Sequence, residues 1–236
     1  MSRSGPESPL ALVVLISGNG SNLQAIIDAI KLRGLPAEVR AVISNNPNAY
    51  GLTRAREADI PALVLDHRDY ASRQTYDQDL QALIDRYQPQ LIVLAGFMRI
   101  LTADFVKHYD GRMLNIHPSL LPKYQGLNTH QRVLEAGDNI HGVSIHFVTP
   151  ELDGGPVILQ AEVPVHPGDT AEDLAQRIHQ QEHVIYPLVI RWFAEGRLRL
   201  HNNMVLFDGK PLTEQQRRYF KLNQSGGIRS NNYEAK

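Results

Sequence analysis

Leu10-Ala11-Leu12-Val13-Val14-Leu15-Ile16 is an unbroken apolar run, and Ser17-Gly18-Asn19-Gly20-Ser21-Asn22 follows it directly. Leu23, Ile26, Ile27 and Ile30 come next at helical spacing. An apolar run without alternation marks a parallel strand covered on both faces. The passage through glycines into a 3.6-residue period then reads as strand, turn, helix. Glycine permits the tight turn, and the N–H groups at the helix start, at the positive end of its dipole, suit a phosphate. The turn has neither the third glycine of a dinucleotide fingerprint nor the Gly-Lys-Ser/Thr of a P-loop. A plain β–α turn capped by Ser21 or Asn22 is the competing reading.

Outward from this unit the alternation repeats. Val39 to Ser44, Ala62 to Leu65 and Leu91 to Ala95 read as strands. Tyr50 to Ala58 and Tyr70 to Tyr87 read as helices, the second carrying Tyr76, Leu80, Leu83, Ile84 and Tyr87 on one face. Thr102 or Asp104 caps a further helix leading to Tyr109. Strands alternating with helices predict an α/β fold, a doubly wound and mostly parallel sheet with right-handed crossovers. In such a sheet the strand ends share one rim, and ligands bind there.

Asn115-Ile116-His117-Pro118-Ser119-Leu120-Leu121-Pro122 falls at such an end. Residues two apart on a strand share a face, so Met113, Asn115 and His117 project together. Pro118 holds its predecessor extended and cannot donate to a ladder, which ends the strand with an amide and an imidazole at the rim. A turn-capping Asn115 and a packed His117 form the bland alternative. Beyond Pro122, a loop to His130 leads into a short helix from Gln131 to Ala136, stopped by Gly137. Gly142 to Val148 alternates as a strand, with Val143, Ile145 and Phe147 on one side and Ser144 and His146 on the other. Thr149-Pro150-Glu151-Leu152-Asp153-Gly154-Gly155-Pro156 separates it from Val157 to Val163, which gives the sheet an antiparallel C-terminal part. This loop reads either as a solvated connection or as a carrier of one carboxylate, Asp153, into the site. Asp169 to Asp173 supplies caps and first-turn acids for a helix reaching Ile190 or beyond, with Pro187 inside it. A hairpin around Asn202 and Asn203 closes the regular part.

The chain has 236 residues, a formal net charge of -1 and no cysteine, and a pI near 6.8. Balanced charge gives no electrostatic footprint for nucleic acid or an acidic membrane, so small molecules are the expected partners. Without cysteine there are no disulfides, thiolate nucleophiles or cysteine–metal sites, which fits a cytoplasmic protein. No His/Asp/Glu group shows metal-ligand spacing. The expected organisation is a flexible arm over 1–9 and a single domain over 10–213. Within that domain, 10–110 is expected to form a nucleotide- and phosphate-binding half and 111–213 a catalytic half, to which a family resemblance adds folate binding, and 214–236 a disordered tail.

Four motifs in order resemble the phosphoribosylglycinamide formyltransferases, the folate-dependent enzymes of purine synthesis. They are Ser17 to Asn22, Ala95-Gly96-Phe97-Met98-Arg99-Ile100-Leu101, Leu114 to Pro122, and Glu151-Leu152-Asp153-Gly154-Gly155-Pro156-Val157-Ile158. The similarity runs from about Leu12 to about Leu200. It implies a Rossmann-like sheet and metal-free transfer of the formyl group of 10-formyltetrahydrofolate, the donor co-substrate, to the amine of glycinamide ribonucleotide, by a monomer or homodimer. Carried over, Asn115, His117 and Asp153 are the catalytic positions. Gly20, Ser21 and Asn22 hold the phosphate, and Glu182, within His179-Gln180-Gln181-Glu182, holds the ribose. Arg73, Met98, Arg99, Ile100, Leu101, Asn115, Thr149, Pro150, Glu151, Leu152 and Asp153 match folate-contacting positions. The family varies at Gln125 and Asn128, which receive no role, and His130, His141 and His146 receive no catalytic one.

The chemistry asks for those residue types. An amine attacks the formyl carbon, charge develops on the formyl oxygen, and a proton must pass from the amine to the folate nitrogen. Asn115 and His117 can donate to the oxyanion. Histidine titrates near neutrality, and Asp153 beside it would favour imidazolium. Two other readings stand beside this one. The acceptor could be water or a charged initiator tRNA, as in formyltetrahydrofolate hydrolases and methionyl-tRNA formyltransferases, or the chain could be a silent nucleotide- or folate-binding module. A silent module has no need of Asn115, His117 and Asp153 together.

Overall fold

The computed structural model describes residues 8–220. β1 (Leu10–Ile16), α1 (Ser21–Arg33), β2 (Ala37–Ser44), α2 (Gly51–Glu57), β3 (Ala62–Val64), α3 (Arg73–Asp85), β4 (Leu91–Leu94), α4 (Ala103–His108) and β5 (Met113–His117) alternate strand with helix. They are followed by α5 (Thr129–Ala136), β6 (Ile140–Phe147), β7 (Val157–Pro164) and α6 (Ala171–Ala194). The chain then forms β8 (Leu198–His201), β9 (Met204–Phe207), β10 (Lys210–Pro211), α7 (Glu214–Arg217) and β11 (Arg218–Phe220).

The main sheet has the order β11-β7-β6-β5-β4-β1-β2-β3. Its pairs are parallel except those that β6 makes with β5 and β7. The chain leaves β1 toward β2 on one side and returns to β4 on the other, so the direction of winding reverses between β1 and β4. The crevice outside their carboxyl ends is where such sheets bind ligands. β8, β9 and β10 form a small antiparallel sheet. Its first turn uses Asn202 and Asn203 at φ 47° and 59°, as a two-residue hairpin turn requires.

β1 lacks alternation because each face has its own cluster. Leu12, Val14 and Ile16 pack with Leu23 and Ile26 of α1 and with Ile178, Ile185 and Tyr186 of α6. Val13 and Leu15 pack with Tyr76, Leu80 and Ile84 of α3 and with Phe105 of α4. Each such buried side chain is worth about 1.5–3 kcal/mol, so both faces resist displacement of the strand.

Helix starts follow their caps. Ser72 Oγ accepts from the Thr75 N–H at 3.1 Å, which begins α3 at Arg73 rather than at Tyr70. Thr102 caps α4, and Thr170 forms a reciprocal capping box with Asp173 at the start of α6. Residues 214–220, expected in the tail, instead form α7 and β11. The outer edge of β7 presents unpaired backbone groups, and β11 satisfies them opposite Gln160 and Ala161. Residues 1–7 of the expected arm and 221–236 of the expected tail lie outside the described residues.

Candidate active site

The glycine-rich turn is built by close packing. Gly20 precedes α1 at φ 74°, and a Cβ there would lie 2.6 Å from the Cα of Gly51. The Gly51 N–H donates to the Gly18 carbonyl at 3.1 Å, and Arg54 donates to both the carbonyl and the Oδ1 of Asn19 at 2.9 and 3.0 Å. No side chain caps α1, so the capped-turn reading does not hold. The amides of Ser21, Asn22 and Leu23 come before the first helical bond, from the Gln24 N–H to the Gly20 carbonyl at 3.0 Å, and point outward as orphan donors.

Ser21 and Asn22 line a cavity of about 380 Å³ together with Ile116, Pro118, His130, His179 and Glu182. Glu182 is only 4 % exposed, and its Oε2 accepts from Asn22 Nδ2 at 2.8 Å. Burial pushes its carboxyl above the usual range, against the pull of that hydrogen bond. His179 and Glu182, one helical turn apart, share a face. The neighbouring Gln180 and Gln181 do not line the cavity. A helix turns about 100° per residue, which sends Gln180 to solvent and Gln181 into the protein.

On the other face of the sheet, a smaller cavity of about 90 Å³ is lined by Arg99, Ile100, Leu101, Asn115, His146 and Thr149 through Asp153. The two cavities share the rim beyond β4 and β5. Alternation along β5 explains this, since Ile116 and Pro118 face the larger cavity and Asn115 the smaller one. Met98, expected among the folate-contacting positions, lines the larger cavity instead. Its N–H donates to Ser17 Oγ at 2.7 Å, which turns this stretch across the rim. Arg99 lays its guanidinium 4.3 Å from the ring centre of Tyr76 on α3, so it adds wall rather than a free charge. Arg73 is exposed at the first position of α3 and lines neither cavity.

Asn115, His117 and Asp153 converge. His117 Nδ1 lies 3.4 Å from Asp153 Oδ2, and Asn115 Nδ2 lies 3.5 Å from Asp153 Oδ1. Asp153 sits at φ 49° in the loop between β6 and β7. That loop folds tightly over the end of β6, because a Cβ on Gly155 would run into the Phe147 carbonyl. Pro150, Glu151, Leu152 and Gly154 remain exposed, while the Asp153 side chain turns inward to His117 and the Gly126 N–H.

The loop after β5 holds the pair from above. His117 Nε2 donates to the Tyr124 carbonyl at 2.9 Å, and the Gly126 N–H donates to Asp153 Oδ2 at 2.9 Å. Gln125 Nε2 donates to the Asp153 carbonyl at 3.2 Å. With Nε2 giving its hydrogen to the Tyr124 carbonyl, Nδ1 is the ring atom that faces the Asp153 carboxylate. The loop is clasped in turn by Asp138, whose Oδ2 accepts from Lys123 Nζ and Tyr124 Oη, both at 2.9 Å. None of these loop contacts was legible beforehand. A backbone carbonyl or N–H leaves no mark on residue type, and Gln125 sits where the resemblance assigned no role. Among the described residues no group of His, Cys, Asp or Glu is arranged to hold a metal ion.

The family model for formyl transferases matches residues 10–190 of the chain. The phosphoribosylglycinamide formyltransferase of Escherichia coli (strain K12) is 60 % identical over 204 residues, covering 86 % of this chain and 96 % of the relative. That of Haemophilus influenzae is 51 % identical, covering 85 % and 95 %. The solved structure of the phosphoribosylglycinamide formyltransferase of Coxiella burnetii in complex with CHES superposes with a TM-score of 0.86 at 58 % identity. It covers 91 % of this chain and 100 % of that one.

Proposed function

From the premise that this chain belongs to the formyl transferase family, we propose how its residues divide the labour of formyl transfer. The chain moves the formyl group of 10-formyltetrahydrofolate to the amine of glycinamide ribonucleotide, a step of purine biosynthesis, rather than to water or a charged tRNA. The observation that carries the division of labour is the convergence of Asn115, His117 and Asp153 on the rim between two cavities.

The ribonucleotide takes the larger cavity. Its phosphate sits on the first-turn amides of Ser21 and Asn22, where Gly20 lets the backbone approach, and its ribose hydroxyls meet Glu182, which Asn22 orients. His179 flanks the same wall. The folate takes the smaller cavity, with Ile100, Leu101 and Thr149 to Asp153 as its walls. The glycyl amine then reaches over the rim past Ile116 and Pro118 to the formyl carbon.

As the carbon–nitrogen bond forms, charge grows on the formyl oxygen. An Asn115 N–H and the His117 Nε2–H donate to it, and each such donor is worth about 10²–10³ in turnover. For His117 to do so, the formyl oxygen takes the place of the Tyr124 carbonyl. Asp153 orients the His117 ring through Nδ1, receives the amine proton directly or through water, and passes it on as the bond to the folate nitrogen breaks. No step is routed through a metal ion. Balanced charge, the absence of cysteine and, among the described residues, of any helix long and apolar enough to cross a membrane support a cytoplasmic enzyme. We take it to act on small molecules as a monomer or homodimer.

The test is an absorbance assay of tetrahydrofolate release with glycinamide ribonucleotide supplied or omitted. Turnover is expected only with the ribonucleotide. Turnover at the same rate without it would assign the acceptor to water and overturn the proposal.

A further inference from the structure

His146 stands directly opposite Asn115 in the antiparallel register of β5 and β6, the closest lateral relation a sheet offers. Its side chain is 3 % exposed. Nδ1 lies 2.9 Å from the Phe147 carbonyl, which can only accept, so Nδ1 carries the hydrogen. Burial holds the imidazole neutral by pushing its pKa below the ordinary histidine value. A neutral ring with hydrogen on Nδ1 has a lone pair on Nε2. The Asn115 side-chain atom 3.1 Å from that lone pair is therefore the amide nitrogen and not the oxygen.

We propose that His146 is a positioning residue for formyl transfer: its Nε2 lone pair captures one N–H of the Asn115 amide and so presents the second N–H to the smaller cavity. That second N–H faces Asp153 Oδ1 at 3.5 Å, the long limit of a hydrogen bond, and is free to exchange this weak partner for the formyl oxygen. Rotating the carboxamide by half a turn would set its oxygen against the Nε2 lone pair. The same rotation would present an acceptor, instead of a donor, to the developing oxyanion. The sign of Asn115's contribution is thus decided by the tautomer of its neighbour. Asp153 Oδ1 lies 3.8 Å from Nε2, too far for a hydrogen bond to claim that nitrogen.

This inference rests on the reading of Asn115 as an oxyanion donor, and two measurements on the full chain separate them. The first needs no variant: ¹⁵N NMR of the histidine nitrogens at neutral pH should show His146 with hydrogen on Nδ1 and none on Nε2. The second is kinetic. His146→Leu should lower kcat by about 10²-fold with both KM values within about threefold. His146→Gln, whose amide oxygen can accept near the position of Nε2, should keep kcat within about tenfold. In an Asn115→Ala background, His146→Leu should cost less than about twofold more, because a residue acting through Asn115 has nothing left to position. An Nε2–H tautomer, a normal kcat for His146→Leu, or an undiminished loss in the Asn115→Ala background would overturn the role of His146. Normal turnover by Asn115→Ala alone would overturn the reading of Asn115 beneath it.

Discussion

The two walls of this site are built in opposite ways. The cradle for the ribonucleotide comes from one contiguous turn, residues 17–22, packed glycine against glycine on α2 and held by Arg54. The reaction centre comes from three separate places: the end of β5, the loop between β6 and β7, and the loop after β5. A contiguous turn is specified by local backbone geometry and tolerates change elsewhere. A convergent centre depends on strand order, register and loop closure all at once, and damage to any of them should appear in turnover before it appears in binding.

The largest effect should come from the convergent wall. His117→Ala removes an oxyanion donor, and Asp153→Asn removes the charge that holds it, so each should lower kcat by about 10²–10³-fold. The KM for the ribonucleotide should stay within a few-fold of the parent, since neither side chain lines the larger cavity. A steady-state comparison that found KM raised and kcat intact would reverse the assignment of the two walls.

Next comes the cradle. Gly20→Ala places a Cβ against Gly51 at a backbone angle that alanine rarely adopts, a strain of about 1–3 kcal/mol. The expected result is a ribonucleotide KM raised about tenfold with kcat within about threefold, because displaced amides weaken phosphate binding without touching the oxyanion donors. Equal losses in kcat would mean that the cradle also positions the amine.

A smaller effect should follow from loosening the loop without touching the centre. Asp138→Asn weakens the clasp on Lys123 and Tyr124. Tyr124 carries the carbonyl that meets His117. The expected fall in kcat is about two- to fivefold, the scale of a partly exposed charged hydrogen bond lost at a distance. The lysine arm can be dissected separately, since Lys123→Met should do less than Asp138→Asn.

The same contrast governs what could be read from residues alone. The parallel half was legible, because doubly buried strands and glycine-rich turns leave contiguous patterns, as Leu10–Ile16 and residues 17–22 did. Asn115 and His117 could be placed on one face of a strand end by their spacing. Asp153 could be named as a loop carboxylate, but it could be set beside His117 only through the family resemblance, since periodicity says nothing about which strands are neighbours. His146 was visible as one member of an alternating pair with Ser144, and only the antiparallel pairing of β5 with β6 set it opposite Asn115. Arg73 and Gln181 went the other way. Both lie on well-read helices, but the cap at Ser72 and the turn of α6 direct them away from the cavities. β11 was missed because an edge strand this short is defined by the edge it covers and not by its own composition.

The least of these effects is a gain rather than a loss. Glu182 is buried in the cradle, and burial raises its carboxyl above the ordinary value of 4.5. A carboxyl whose pKa is raised on folding favours the folded state only while protonated. As pH climbs from about 4.5 through the raised value, the unfolded chain sheds its proton first, and the fold loses stability across that window. Glu182→Gln cannot ionise, and its amide oxygen can still accept from Asn22. The variant should therefore match the parent near pH 4 and exceed it at pH 8. A difference of about 1 kcal/mol would appear as a melting temperature about 2–4 °C higher in a domain of this size. The same substitution should weaken ribonucleotide binding, because an amide accepts hydrogen bonds from ribose hydroxyls less strongly than a carboxylate. Stability and affinity moving in opposite directions would identify Glu182 as a buried acid kept for its ligand. Unchanged melting at pH 8 together with unchanged affinity would reduce it to packing.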